Sequence, residues 1–180
     1  MTTTDTTKTV WNLDASHSEI GFKVKHLMIS NVSGTFGKFE VKAETEGDDF
    51  STAQIAFSAD INSLTTGNEQ RDGHLKAADF FDVETYPEMV FNSTNLEKVD
   101  EMNYTLTGNL TIKGITSLVA LNVEYGGFGI DPWGNQKIGF TLSGKINRND
   151  WQLSWNAPLE AGGLLIGEEV KVFAELQFSK

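Results

Sequence analysis

The chain has no cysteine, so disulfides and thiolate metal sites are excluded. That absence does not fix a compartment, because cysteine-free proteins occur on both sides of a membrane. Arginine is almost missing: Arg71 and Arg148 are the only two, and histidine occurs only at 17, 26 and 74. Lys and Arg total 14 against 25 Asp and Glu, for a formal net charge of −11. Few and scattered cations argue against a nucleic-acid footprint and disfavour an anionic membrane surface, so no nucleic-acid partner is expected. No stretch approaches the roughly 20 apolar residues of a membrane helix, so stable membrane insertion is not expected. The opening MTTTDTTKTVW lacks a basic segment followed by an apolar one, and it does not read as a signal peptide. The expectation is a soluble, cytoplasmic protein, or a periplasmic one if the chain is a processed form. There is no HExxH, CxxC, GxSxG or P-loop, and the histidines are too far apart for a metal-spacing motif. No metal and no cofactor are expected.

What remains is mostly period-two alternation, the mark of strands with one apolar face. It runs through Ile20, Phe22 and Val24, through Ile55, Phe57, Ala59 and Ile61, and through Tyr104, Leu106, Leu110 and Ile112. It returns at Val119–Tyr125, Ile138–Ile146 and Val170–Phe178. Gly126–Asn135 and Asn156–Gly167 read as glycine-rich loops, the first with Trp133 near its tip. This predicts about eight strands on hairpin-scale connections. Without a βαβ rhythm the sheet is mainly antiparallel. A sandwich and a barrel both fit. The barrel is preferred, because closure removes the edges that such long single-faced strands expose. Residues 1–8 read as a disordered tail and 9–180 as one domain.

One stretch breaks the pattern. Asn68–Phe91 carries Arg71, His74, the Phe80–Phe81 pair and Pro87. Thr66-Gly67-Asn68-Glu69 fits a capping box, which predicts a helix of about three turns to Asp79 with Leu75 and Ala78 inward. Pro87 returns the chain to extended geometry.

The inner-face aromatics suit either a packed core or an apolar cavity. Small residues on the same faces, Ala59, Gly108, Gly144 and Ala174, favour unfilled volume, but pattern alone leaves both readings open. Arg71 beside Asp72, and Arg148 near Asp150, are either anchors for a polar head group or structural ion pairs with those carboxylates.

Taken in order, the motifs resemble the YceI-like family of lipid- and polyisoprenoid-binding proteins. They are Trp11-Asn12-Leu13-Asp14 with His17-Ser18 and Ile20-x-Phe22-x-Val24-x-His26, then Gly34-x-Phe36-x-x-Phe39. Arg71-Asp72-x-His74-Leu75-Lys76 and Asp79-Phe80-Phe81-Asp82 follow, with Tyr86-Pro87 and Phe91. Gly108-x-Leu110-Thr111-Ile112-x-Gly114-Ile115-Thr116 and Ile146-Asn147-Arg148-x-Asp150 complete the series. The likeness runs from Trp11 to Phe178. It implies an eight-stranded antiparallel, lipocalin-like barrel around a long apolar tunnel, a dimer as in many members, and no catalysis. The implied ligand is a hydrophobic or amphiphilic small molecule such as a prenyl quinone, a polyprenyl phosphate or a fatty amide, which can co-purify.

On that resemblance the first half of the chain lends the tunnel Phe22, Val24, Phe36, Phe39, Ile55, Phe57, Phe80, Phe81 and Phe91. The second half lends Leu110, Leu121, Phe140, Leu142 and Trp151. Head-group candidates are His74, Arg71, Arg148 and Asp150. One departure stands out. Family members follow the Asn-Arg-x-Asp motif with Phe-Gly, whereas Trp151-Gln152 stand here, so a larger aromatic is expected to shorten the tunnel or seat a different head.

Overall fold

The computed structural model describes residues 8–27, 29–156 and 165–180. Its strands, in chain order, are β1 (Lys8–Leu13), β2 (Glu19–His26), β3 (Ser30–Phe36), β4 (Phe39–Glu46) and β5 (Asp49–Asp60). The two-residue β6 (Leu64–Thr65) and the helix α1 (Glu69–Lys76) come next. Then follow β7 (Glu88–Lys98), β8 (Asn103–Ile112), β9 (Ile115–Ile130), β10 (Gln136–Asn147) and β11 (Ile166–Ser179). Lys8, expected in the tail, opens β1; the rest of that expectation, residues 1–7, lies outside the described residues.

Three pairs of these segments act as single bent strands. β1 and β2 share one edge of β11: Leu13 stands opposite Phe178 and Ile20 opposite Ala174. A 3-10 turn at Ala15–His17 kinks the chain between them. The Asp14 carboxylate holds that kink by accepting from Ser16 Oγ (2.7 Å), His17 Nδ1 (2.8 Å) and Lys137 Nζ (3.2 Å). These partners, Ser16 and His17 foremost, push the Asp14 pKa far down. Likewise β3 runs into β4, and β5 into β6 through a 3-10 turn at Ile61–Ser63. Counted this way, eight antiparallel strands close into a barrel, and β1 pairing with both β4 and β11 makes the seam. Closure decides between barrel and sandwich.

Alternation sets the inside. In β8, Leu106, Leu110 and Ile112 are buried while Asn109 faces out. The glycines on these faces do not leave space, contrary to the sequence expectation. A Cβ on Gly108 would sit 2.4 Å from the Phe91 ring, and one on Gly34 would sit 2.5 Å from Phe22. In both places the far end of a ring occupies the space a Cβ would take, so the small residue admits a ring instead of a void.

Two further expectations change. Gly126–Ile130 continues β9 rather than forming a loop. A register shift at Gly139/Phe140 and φ of +120° at Gly127 break the alternation that would have announced it. The turn is confined to Asp131–Asn135, where the Asp131 carboxylate takes the amides of Trp133 and Asn135. The helix is also shorter than expected, ending at Lys76, and Ala78 is exposed. Its cap is Asn68, whose side chain accepts from the Arg71 amide at 3.0 Å. Thr66 lies across a positive-φ turn at Gly67 (+82°), too early to serve as cap.

Of the predicted loop Asn156–Gly167, residues 157–164 lie outside the described residues. Its base is clasped by Asn156, which exchanges two hydrogen bonds with the backbone of Ile166 (2.7 and 3.0 Å).

Candidate lipid-binding cavity

Between the end of β6 and the start of β7 the wall is completed by α1 and the turns that follow it. There Phe80 and Phe81, 5.5 Å apart, fold inward and are almost fully buried. Amides of Phe81 and Val83 bond back to Leu75 and Lys76, which fixes the pair beneath the helix. Under it lies a cavity of about 250 Å³. Its walls are Phe22, Val24, Phe36, Ile55, Phe57, Phe91, Leu110, Leu121 and Leu142 with Phe80, Phe81 and their aliphatic neighbours. Polar lining is confined to Lys25, His26, Thr66, Arg71, His74, Ser143 and Arg148.

A second apolar space of about 60 Å³ lies below, bordered by Trp11, Phe50, Phe140 and Phe178. Phe50 packs on Trp11 (5.4 Å), Tyr125 (5.9 Å) and Phe140 (5.5 Å), an aromatic floor for the barrel. The expected long tunnel is thus two chambers. Phe140 belongs to the lower one. Phe39 borders neither and packs between the two core clusters.

Trp151 also borders neither chamber. It is 1% exposed in a 3-10 turn at Arg148–Trp151 and donates Nε1–H to the Leu110 carbonyl at 2.9 Å. The larger aromatic is therefore spent on the core and does not shorten the cavity.

The charged candidates part company. Arg148 is 3% exposed. Its guanidinium donates to the carbonyls of Gly167 (2.9 Å), Trp155 (3.0 Å), Ile166 (3.3 Å) and Leu153. Burial lowers its pKa, with Glu168 opposing. It ties Leu153–Trp155 to the head of β11 and makes no pair with Asp150, which is exposed and outside the cavity. Arg71 does not pair with Asp72 either: its Nε donates to Thr66 Oγ1 (2.7 Å) and its Nη2 to Thr66 O (2.8 Å). Thr66 in turn donates N–H (2.9 Å) and O–H (2.5 Å) to Asp72. Burial pushes the Asp72 carboxyl up, but the Thr66 donors outweigh it and leave the pKa below the ordinary value. Both ion-pair readings give way to ties through backbone and hydroxyl oxygens, since these lie within reach of a planar fork. His74 stays at the rim. Its Nε2 lies 3.1 Å from Asp79, and its ring meets Trp155 edge-on at 4.5 Å.

Sequence reasoning missed Thr66 as the shared partner of Arg71 and Asp72, and missed Trp155 altogether. A hydroxyl three residues before a helix, followed by Arg and Asp one apart, is the signal that could have found Thr66. Nothing in the sequence distinguished Trp155. Among the described residues no group of three His, Cys, Asp or Glu side chains is placed to hold a metal, and no helix is long and apolar enough to cross a membrane.

A closed antiparallel barrel with a capped apolar interior and a sparse polar rim defines the lipocalin-like class. Within that class the chain belongs to the YceI-like family, whose domain model matches residues 11–178. A UPF0312 protein of Staphylococcus aureus is 37% identical over 172 residues, 95% of this chain and 98% of that one. The Campylobacter jejuni YceI protein superposes with a TM-score of 0.74 at 32% identity, covering 94% of this chain and 96% of that one. BcnA of Burkholderia cenocepacia shares the fold at a TM-score of 0.80 and 21% identity, over 92% and 99% of the two chains. So does a polyisoprenoid-binding domain of Saccharophagus degradans at 0.66 and 18%, over 94% and 97%.

Proposed function

We propose that this protein binds and carries an amphiphilic lipid with an isoprenoid or fatty tail, the tail in the upper chamber and the head at the rim beside Arg71 and His74. The observation that carries the reading is the upper chamber itself: about 250 Å³, walled by apolar side chains, with its polar groups few in number. That lies just under the ~300–1,000 Å³ usual for small-molecule pockets. The Saccharophagus degradans domain, described as polyisoprenoid-binding, has the same fold and supports the choice of ligand class.

Burial of apolar surface is worth about 25 cal/mol per Å². A tail covering several hundred Å² gains on the order of 10 kcal/mol before ordering costs. The wall therefore sets affinity, and the rim orients the head. Carriage fits better than acid–base chemistry by His74, Asp72 and Arg148: Arg148 and Asp72 are engaged in holding loops and helix, and His74 lies against Asp79.

The test is organic extraction of the purified protein followed by mass spectrometry, then uptake of a prenyl quinone by stripped protein. Recovery of a prenyl or fatty lipid is expected. A stripped protein that takes up neither prenyl quinone nor fatty probe would overturn the proposal.

A further inference from the structure

Five aliphatic side chains border both chambers: Val41 on β4, Ile55 on β5, Leu106 on β8, Leu142 on β10 and Leu176 on β11. They come from five strands distributed around the closed sheet, so together they form a ring across the barrel. Leu106 is the most deeply buried of those resolved as core, at 1% exposure. Each member is branched at Cβ or Cγ and presents only methyl and methylene groups.

We infer that this ring is a diaphragm that sets the tail length the cavity accepts, with Leu106 as its principal residue. The inference rests on the lipid-carrier function proposed above and adds a determinant of specificity to it. A tail enters past α1 and runs down the wall. On β8 the chamber wall extends from Ile112 to Leu106, about 20 Å of strand. Beyond Leu106 comes the lower chamber. Its 60 Å³ amounts to about two water volumes. That is too small to recognise a ligand alone. The Thr45 hydroxyl bordering it already donates to Gly47 O and accepts from Trp11. The lower chamber is therefore reserve volume, reached only when the diaphragm yields.

A rigid ring stops a tail at the upper chamber, so each added isoprene unit gains burial only until the tail meets Leu106. Removing part of the ring joins the chambers and moves that limit outward. Branched side chains packed in staggered rotamers resist such opening, which makes the limit sharp rather than gradual.

The experiment uses full-length stripped protein, a fluorescent fatty probe, and a displacement ladder of geraniol, farnesol, geranylgeraniol and solanesol. For the wild type, affinity is expected to rise along the ladder and then level off or fall. Leu106→Ala moves the break at least one rung, tightening the first excluded prenol on the order of tenfold relative to geraniol. Ala53 borders the lower chamber alone. Adding Ala53→Leu to Leu106→Ala refills that space and cancels the gain. Should Leu106→Ala fail to fold, Leu142→Ala opens the same ring from β10 and carries the same expectation. An identical ladder for wild type and opened variant, or a gain that survives Ala53→Leu, overturns the diaphragm and leaves the carrier function standing. A wild type that binds neither the probe nor any prenol overturns both.

Discussion

The indole N–H of Trp151 donates to the carbonyl of Leu110 across 2.9 Å, while the side chain of Leu110 lines the upper chamber. A residue that reads as cavity lining is instead a strut for one that lines it. Trp151→Phe keeps the ring and removes the donor. Expected is a loss of about 2 kcal/mol in urea unfolding, from the unsatisfied carbonyl and the smaller ring together. Lipid uptake by the folded variant should be unchanged; a shift in ligand preference would return Trp151 to the site.

Arg148 predicts a different failure. Its guanidinium serves four backbone carbonyls. Arg148→Ala removes that donor from all four, leaving the Ile166 carbonyl to Asn156, and should cost at least about 3 kcal/mol, read from the urea midpoint. Arg148→Lys should recover only part of this, because an ammonium cannot reproduce a planar fork. Unfolding midpoints, not lipid affinity of the folded fraction, should carry the effect.

Phe57 lines the chamber opposite Phe91 on the neighbouring strand. Phe57→Asp introduces a charge into an apolar wall, which should abolish uptake of a prenyl quinone. Phe57→Leu should retain most of it. Near-ultraviolet circular dichroism checks that the barrel persists, and retained uptake by a folded Phe57→Asp protein would show that the tail lies elsewhere.

Acid stability has a sign fixed by Asp72, whose pKa is held below the ordinary 3.8 despite burial. A carboxylate lowered on folding adds stability above its unfolded value and loses it as pH falls through the folded one. Stability should therefore decline below about pH 4. Asp72→Asn should be less stable at neutral pH, since a neutral acceptor binds the two Thr66 donors more weakly, and its decline in acid should be shallower. Asp14, Asp49, Asp100 and Asp131 are lowered as well, so the flattening is partial. An unaltered slope of urea midpoint against pH would contradict the assignment.

The strands were legible because period-two alternation is a local property; Leu106, Leu110 and Ile112 announce an inner face without reference to any partner. The family motifs then carried the barrel and most of the upper chamber, from Phe22 to Leu142. What stayed hidden is lateral. The ring of Val41, Ile55, Leu106, Leu142 and Leu176 depends on which residues of five strands reach one level, and that is set by strand tilt and stagger, which no single segment encodes. Phe39 and Trp151 share the composition of lining residues but point into packed layers. Arg148 looked like a ligand anchor because arginine is scarce here, yet its partners are main-chain oxygens, which a sequence presents everywhere alike.

The seam between β1 and β11 joins the first and last strands of the barrel. The seam pairs the first strand of the barrel with the last, so the barrel cannot close before β11 has been made. Pairings this distant along the chain place folding toward the slow end of the range for small domains. The same adjacency, with Ser179 opposite Asn12, makes the barrel suited to circular permutation: a linker from Lys180 to Lys8, with new termini at the exposed Asp131–Asn135 turn, would keep the strand order. A permutant of that kind would turn the last closing step into a local one, and its refolding rate would report how much of the barrier belongs to bringing the ends together.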